Sequence, residues 1–223
     1  MTFADTLKQH SIDTWQKILS HRFVMELSSE ILPISKFVFY LRQDHYFLEE
    51  FSKFLKSAKP KTNDNKLKEW LDSLYLSTVN FEKEMQKQLL NSLGVSSSSP
   101  YNSTAKYEIF PCRTTLNYTS YLMNISSNGT FSEIVSVMAP CPWTYLEIAQ
   151  KLSKIPIGNE AYRKWVQFYS STESHRQVAE IKEILNRLGE KEDEKSKAIM
   201  KNHFANSCRY EYLFWEMAYN LSG

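Results

Sequence analysis

Two acids and a thiol stand in this chain where their neighbours are almost all apolar. Asp44 falls among Ile34, Phe37, Val38, Leu41, Leu48, Phe51 and Leu55, which recur at three- and four-residue steps. Glu211 falls among Met200, Phe204, Cys208, Trp215 and Ala218, and Cys141 among Ile134, Val137, Met138, Tyr145, Ile148, Ala149 and Leu152. That step is the helical period, so each of the three sits on the inward face of a helix. An ionised carboxylate buried without partners is strongly disfavoured, so Asp44 and Glu211 require hydrogen-bond donors or a ligand. Cys141 lies between Pro140 and Pro142. Each proline removes an amide donor, which kinks the helix at the thiol and lets a ligand approach. A neighbouring base would lower the thiol pKa below its ordinary value of about 8.5 and make the sulfur a nucleophile. Tyr118, Tyr145 and Tyr169, with Phe47 one turn from Asp44, offer flat faces and hydroxyls to a planar ring.

Spacing alone leaves a plainer reading open for each. The acids can be satisfied by tyrosines or helix ends, the cysteine can be a small hydrophobe filling the kink, and the aromatics can be core. Cys112 and Cys208 take that plainer reading. Other chemistries have no carrier: the sequence contains no Glu-x-x-His pair, P-loop, Gly-x-Gly-x-x-Gly, His-Glu-x-x-His or Gly-x-Ser-x-Gly. The five histidines are scattered, and His45 beside Asp44 has no partner at ligand spacing.

The elements that position these groups are helices. Five glycines and seven prolines in 223 residues are too few for a protein of many short strands and turns. The periodicity predicts helices over about 4–21, 34–59, 65–93, 111–126, 130–152 with the kink at Cys141, 160–170, 173–188 and from about 200 onward. In 65–93 the inward stripe is Leu67, Trp70, Leu71, Leu74, Phe81, Met85 and Leu89, and Gly94 supplies a left-handed C-terminal cap. Thr130 with Glu133 fits a capping box, Gly189 ends a helix, KEDEKSK is a solvated charge run, and SSSSPYNST is a surface loop. No linker divides the chain, so 1–223 reads as one all-α domain.

With a net charge of +2 and both signs interspersed, there is no basic stripe for nucleic acid. No run approaches the ~18 apolar residues of a membrane span, and no signal sequence is evident, so no membrane partner and a cytoplasmic location are expected. Three cysteines without paired spacing argue against a disulfide framework.

Five ordered blocks resemble the TenA, or thiaminase II, family: YLRQDHYFL around Asp44, NYTSYL around Tyr118, MAPCPWTYLEI around Cys141, YRKWVQFYSS around Tyr169 and CRYEYLFWEMAY around Glu211. The resemblance runs from the Asp44 helix to the C-terminus. It implies a haem-oxygenase-like helical bundle, a homotetramer, and a pocket for a pyrimidine, with no cofactor or metal. It also implies roles: Cys141 as nucleophile, Glu211 as proton donor and acceptor, Asp44 as anchor of the aminopyrimidine edge, Phe47 and Tyr145 packed on the ring, Tyr118 and Tyr169 as orienting hydroxyls, and Phe214 beside the glutamate. The PCPW block matches the cysteine type of the family. The implied activity is aminopyrimidine aminohydrolase: cleavage of 4-amino-5-aminomethyl-2-methylpyrimidine, and of thiamine, to the hydroxymethylpyrimidine. His45 beside the aspartate, Phe at 47 and proline directly after the cysteine depart from the commonest pattern. Two other readings stand beside this one: a non-catalytic pyrimidine-binding or regulatory protein, and a haem- or quinone-related protein using His10 or His21.

Overall fold

The computed structural model of the chain describes residues 1–95 and 110–222. Among these the elements are helical throughout: α1 (Phe3–His10), α2 (Ile12–Leu19), α3 (Arg22–Ser28), α4 (Ile34–Ala58), α5 (Asn65–Ser77), α6 (Lys83–Ser92), α7 (Arg113–Asn128), α8 (Phe131–Met138), α9 (Pro140–Leu152), α10 (Glu160–Tyr169), α11 (Thr172–Lys191) and α12 (Glu194–Asn220). A 3₁₀ turn, Lys59–Lys61, follows α4, and a wide π turn, Thr78–Glu82, joins α5 to α6. The Ser-rich loop expected at 96–104 lies outside the described residues.

The core is an all-α bundle built around the two longest helices. α4 packs on α5, α6, α7 and α12, while α12 also packs on α2, α8 and α9. Burial explains the arrangement. Phe37, Tyr40, Leu41, Leu48, Phe54 and Leu55 of α4 and Met200, Phe204, Cys208, Trp215 and Ala218 of α12 are all nearly or fully excluded from solvent. Each large side chain among them contributes about 1.5–3 kcal/mol. No helix is long and apolar enough to cross a membrane among the described residues.

Several expected boundaries shift, each for a local reason. The helix expected over 4–21 is interrupted at Ser11, whose N–H caps α1 by donating to the Lys8 carbonyl at 3.0 Å. α11 does not end at Gly189 but runs on to Lys191, and the glycine is a packing device. A Cβ there would run into the Phe3 ring of α1. The KEDEKSK run is not all solvated spacer: Asp193 caps α12, accepting from Ser196 N–H at 2.7 Å, and the helix begins inside the run. Gly94 does adopt the left-handed conformation expected of it, with φ +72°. Thr130 accepts from the Glu133 N–H at 3.3 Å, while the Glu133 carboxylate lies 3.5 Å from His203 Nε2.

Candidate active site

The helix expected over 130–152 is interrupted immediately before Cys141, where the prolines stand. α8 ends at Met138, α9 begins at Pro140, and Ala139 between them keeps helical angles, φ −62° and ψ −37°. Neither Pro140 nor Pro142 can donate a backbone hydrogen bond, so the helical ladder loses two donors at this notch. The Thr144 hydroxyl donates to the Cys141 carbonyl at 3.2 Å. Cys141 is half-buried, with its thiol on the wall of a cavity of about 560 Å³.

Behind the thiol stands Glu211, reached from α12. The Cys141 thiol is placed to donate to its carboxylate. The Tyr118 hydroxyl of α7 donates to Glu211 Oε1 at 2.7 Å and lies 2.8 Å from the Ser207 hydroxyl. Burial raises the Glu211 pKa to about 7 against the pull of these two donors. The thiol itself is pushed well up, first by burial and then by the negative charges of Glu211, Glu82 and Asp44. This corrects the expectation of a lowered thiol pKa: with an acidic neighbour in a dry site, Cys141 rests as a neutral thiol, and Glu211 is placed to receive its proton.

Asp44 is buried and satisfied within the protein. Its Oδ2 accepts from Tyr40, one turn earlier on α4, at 3.1 Å, and from the Gln86 amide of α6. Tyr40 is itself fixed: its oxygen accepts from Trp165 Nε1 at 3.1 Å. Burial, and then the charge of Glu82, push the Asp44 carboxyl well up. His45 takes no part, since its Nε2 lies 3.6 Å from Glu49 one turn on.

A third acid, Glu82, closes the group. It is half-buried on the cavity wall. The Tyr169 hydroxyl of α10 donates to its Oε1 at 2.7 Å, and burial raises its pKa to about 7. Its position depends on the wide turn. A π turn inserts one residue and rotates the helix beyond it by about a third of a turn. Phe81, expected inside, is therefore 64% exposed, while Thr78, Glu82 and Gln86 turn inward.

Aromatic rings build the rest of the wall. Tyr145 meets Tyr169 edge-on with centroids 4.9 Å apart, Trp165 lies 4.8 Å from Tyr169, and Tyr145 lies 5.3 Å from Trp215. Of the sequence-derived site residues, Cys141, Tyr145 and Tyr169 line the cavity. Asp44, Glu211, Phe47, Tyr118 and Phe214 form the layer beneath. Phe47 packs 5.0 Å from Tyr118 and 6.1 Å from Phe214, and Tyr40 lies 6.3 Å from Phe214.

Sequence reasoning missed Tyr40, Glu82 and Gln86. Tyr40 carried a usable signal, four residues before Asp44 and therefore on its face. Glu82 and Gln86 share a face with each other, but the unrecognised extra residue hid which way that face points. Among the described residues no three His, Cys, Asp or Glu side chains are arranged to hold a metal ion. The two histidines considered for haem are not poised for it. His10 is exposed, and both ring nitrogens of His21 are engaged, Nδ1 by the Phe23 N–H at 3.1 Å and Nε2 with Glu216 at 3.2 Å.

The chain is 29% identical over 222 residues to an aminopyrimidine aminohydrolase of Halalkalibacterium halodurans, covering 99% of this chain and 96% of that one. It is 29% identical over 223 residues to the aminopyrimidine aminohydrolase of Bacillus subtilis, covering 100% of this chain and 92% of that one. Among solved structures it resembles a TenA homologue from P. horikoshii OT3, with TM-score 0.85, 26% identity and 99% of each chain covered. A domain with a heme oxygenase-like fold from Shewanella denitrificans matches in fold alone, with TM-score 0.72 and 15% identity over 97% of this chain and 92% of that one. Residues 9–221 match the sequence profile of the TENA/THI-4/PQQC family, and with the helical order and the bundle in agreement, the chain belongs to that family.

Proposed function

We propose that this chain is an aminopyrimidine aminohydrolase of the thiaminase II type, one domain over 1–223, that converts 4-amino-5-aminomethyl-2-methylpyrimidine, and thiamine, to 4-amino-5-hydroxymethyl-2-methylpyrimidine. The observation that carries the reading is Cys141, on the wall of a cavity lined with aromatic rings, with Glu211 directly behind it to act on its thiol. The activity named for the relatives in Halalkalibacterium halodurans and Bacillus subtilis supports it.

The chemistry follows from the difficulty of the reaction. A 4-aminopyrimidine ring is too electron-rich to release its CH2 substituent unaided. Cys141 gives its proton to Glu211, and the sulfur bonds to the ring carbon beside the one that carries the CH2 group. A ring nitrogen takes the proton from Glu211, and the electron pair pushed through the ring breaks the CH2–N bond, releasing ammonia or the thiazole. Water adds to the CH2 carbon and leaves its proton on Glu211. The C–S bond then breaks, the ring-nitrogen proton returns to sulfur, and the aromatic ring is restored. Asp44, fixed through one oxygen by Tyr40 and Gln86, holds the amino edge of the ring. Phe47, Tyr145 and Phe214 supply the apolar packing, and Tyr118 and Tyr169 orient the acids.

The test is release of hydroxymethylpyrimidine from the aminomethylpyrimidine and, separately, from thiamine, by the wild-type protein and by Cys141→Ser. Turnover lost in the variant supports the cysteine hydrolase. Binding without turnover by the wild type would establish a pyrimidine-binding protein in its place. The family resemblance further points to a homotetramer in the cytoplasm, which light scattering and fractionation test.

A further inference from the structure

The cavity contains an acid that the reaction above leaves unused. Among the residues that line it, the ionisable side chains are Glu82, Cys141, Tyr145, Tyr169 and Glu173, all of them acids, with no Lys, Arg or His. Glu173 is neutralised by Arg176, whose Nη2 lies 2.6 Å from it. Glu211 is occupied by the thiol and Tyr118, and Asp44 by Tyr40 and Gln86 in the layer beneath. Glu82 also has no cation, and of the buried acids it is the one on the cavity wall with no part in the reaction above. Tyr169 fixes its Oε1, and its other oxygen accepts no hydrogen bond from the described residues. A carboxylate held on the wall of a largely apolar, aromatic cavity, with one oxygen free and no protein cation near it, is complementary to a ligand that brings its own positive charge.

We infer that Glu82 binds the exocyclic ammonium of the aminomethylpyrimidine and so distinguishes substrate from product. This rests on the function proposed above and adds to it the site of the leaving group. The substrate presents two polar ends, an amino-pyrimidine edge and a CH2–NH3⁺ arm. Glu82 stands on the cavity wall and Asp44 in the layer behind it, near enough for the charge of Glu82 to act on Asp44, so one acid is assigned to each end. After hydrolysis the arm is a neutral hydroxyl, which has no charge to pair with Glu82. The same carboxylate that holds the substrate therefore lets the product go. Tyr169 is a positioning residue: its hydroxyl orients the carboxylate and leaves the second oxygen to the ligand.

The test uses calorimetric binding in the Cys141→Ser background, so that neither ligand turns over. The ligands are the cationic aminomethylpyrimidine and the neutral hydroxymethylpyrimidine. Adding Glu82→Gln is expected to weaken the aminomethyl ligand at least tenfold and the hydroxymethyl ligand less than threefold. Retained binding of the neutral ligand also reports an intact pocket. Glu82→Asp keeps the charge on a shorter arm and is expected to lie between. Should Glu82→Gln not fold, a ratio in Glu82→Asp shifted less than twofold would overturn the inference. Equal weakening of both ligands, or of neither, overturns it as well. Wild-type turnover is followed alongside: its absence defeats the hydrolase reading, whereas turnover with an unshifted binding ratio defeats only the role of Glu82.

Discussion

The Tyr118 hydroxyl donates to Glu211 Oε1 at 2.7 Å, from α7 to α12, and Glu211 in turn faces the Cys141 thiol of α9. Three helices thus meet in one line of groups whose far end is the sulfur. Each link has a consequence that can be measured.

Tyr118→Phe removes one of the two donors that hold Glu211 while keeping the ring that packs on Phe47. The carboxylate loses its orientation, and a misplaced proton acceptor lowers the chemical step. The expected result is a fall in kcat of about 10–100-fold with KM nearly unchanged. Steady-state kinetics on the aminomethylpyrimidine, with circular dichroism to verify the fold, decides it.

Glu211 couples function to stability with a definite sign. Its carboxyl goes from an ordinary 4.5 in the unfolded chain to about 7 in the folded protein because it is buried. The folded state therefore binds more protons between those values, and stability contributed by this group is present below pH 4.5 and lost as pH rises through about 7. Glu211→Gln cannot ionise. It is expected to melt several degrees above the wild type at pH 8, with the gap closing at pH 5, while turnover is abolished. A variant that melts lower than the wild type at both pH values would refute the argument.

Gln86 is the donor to Asp44 that sequence reasoning missed. Gln86→Leu leaves a buried carboxyl oxygen with Tyr40 as its remaining donor, at a cost of about 1–3 kcal/mol. A lower melting temperature and a raised KM for the pyrimidine are expected, because the anchor for the ring edge is no longer fixed. Unchanged KM would show that Tyr40 alone fixes Asp44.

Gly189→Ala reverses the ordinary rule for glycine within a helix. By helix propensity alone the change would stabilise by roughly 0.5–1 kcal/mol. Here the new methyl meets the Phe3 ring, so α1 must shift from α11. The expected net effect is destabilisation of about 1 kcal/mol or more in thermal unfolding, with kcat and KM unaltered because the contact is remote from the cavity.

Much of the site was legible because helices write their burial into the sequence at a fixed period. Asp44, Cys141 and Glu211 were found on apolar stripes, and all three lie within one hydrogen-bonded or electrostatic reach of one another. Paired prolines announced the notch at Cys141 for a local reason, the missing amide donors. The π turn at Thr78–Glu82 carries no such mark. Thr78, Val79, Asn80 and Phe81 are weak helix formers, which does not by itself mark an inserted residue, and both α5 and α6 pack on α4.

The sequence by itself determined the helical class, the inward faces that carry Asp44, Cys141 and Glu211, the break at the prolines and the family, since each depends on local periodicity or on ordered blocks. The tertiary structure alone decided the protonation of the site. Cys141 is a neutral thiol rather than a thiolate, Glu211 and Glu82 are poised near neutrality, and Glu82 stands on the wall while Asp44 and Glu211 stand behind it. Those properties come from burial and from charges on helices distant along the chain, and neither quantity is written in the spacing of neighbouring residues.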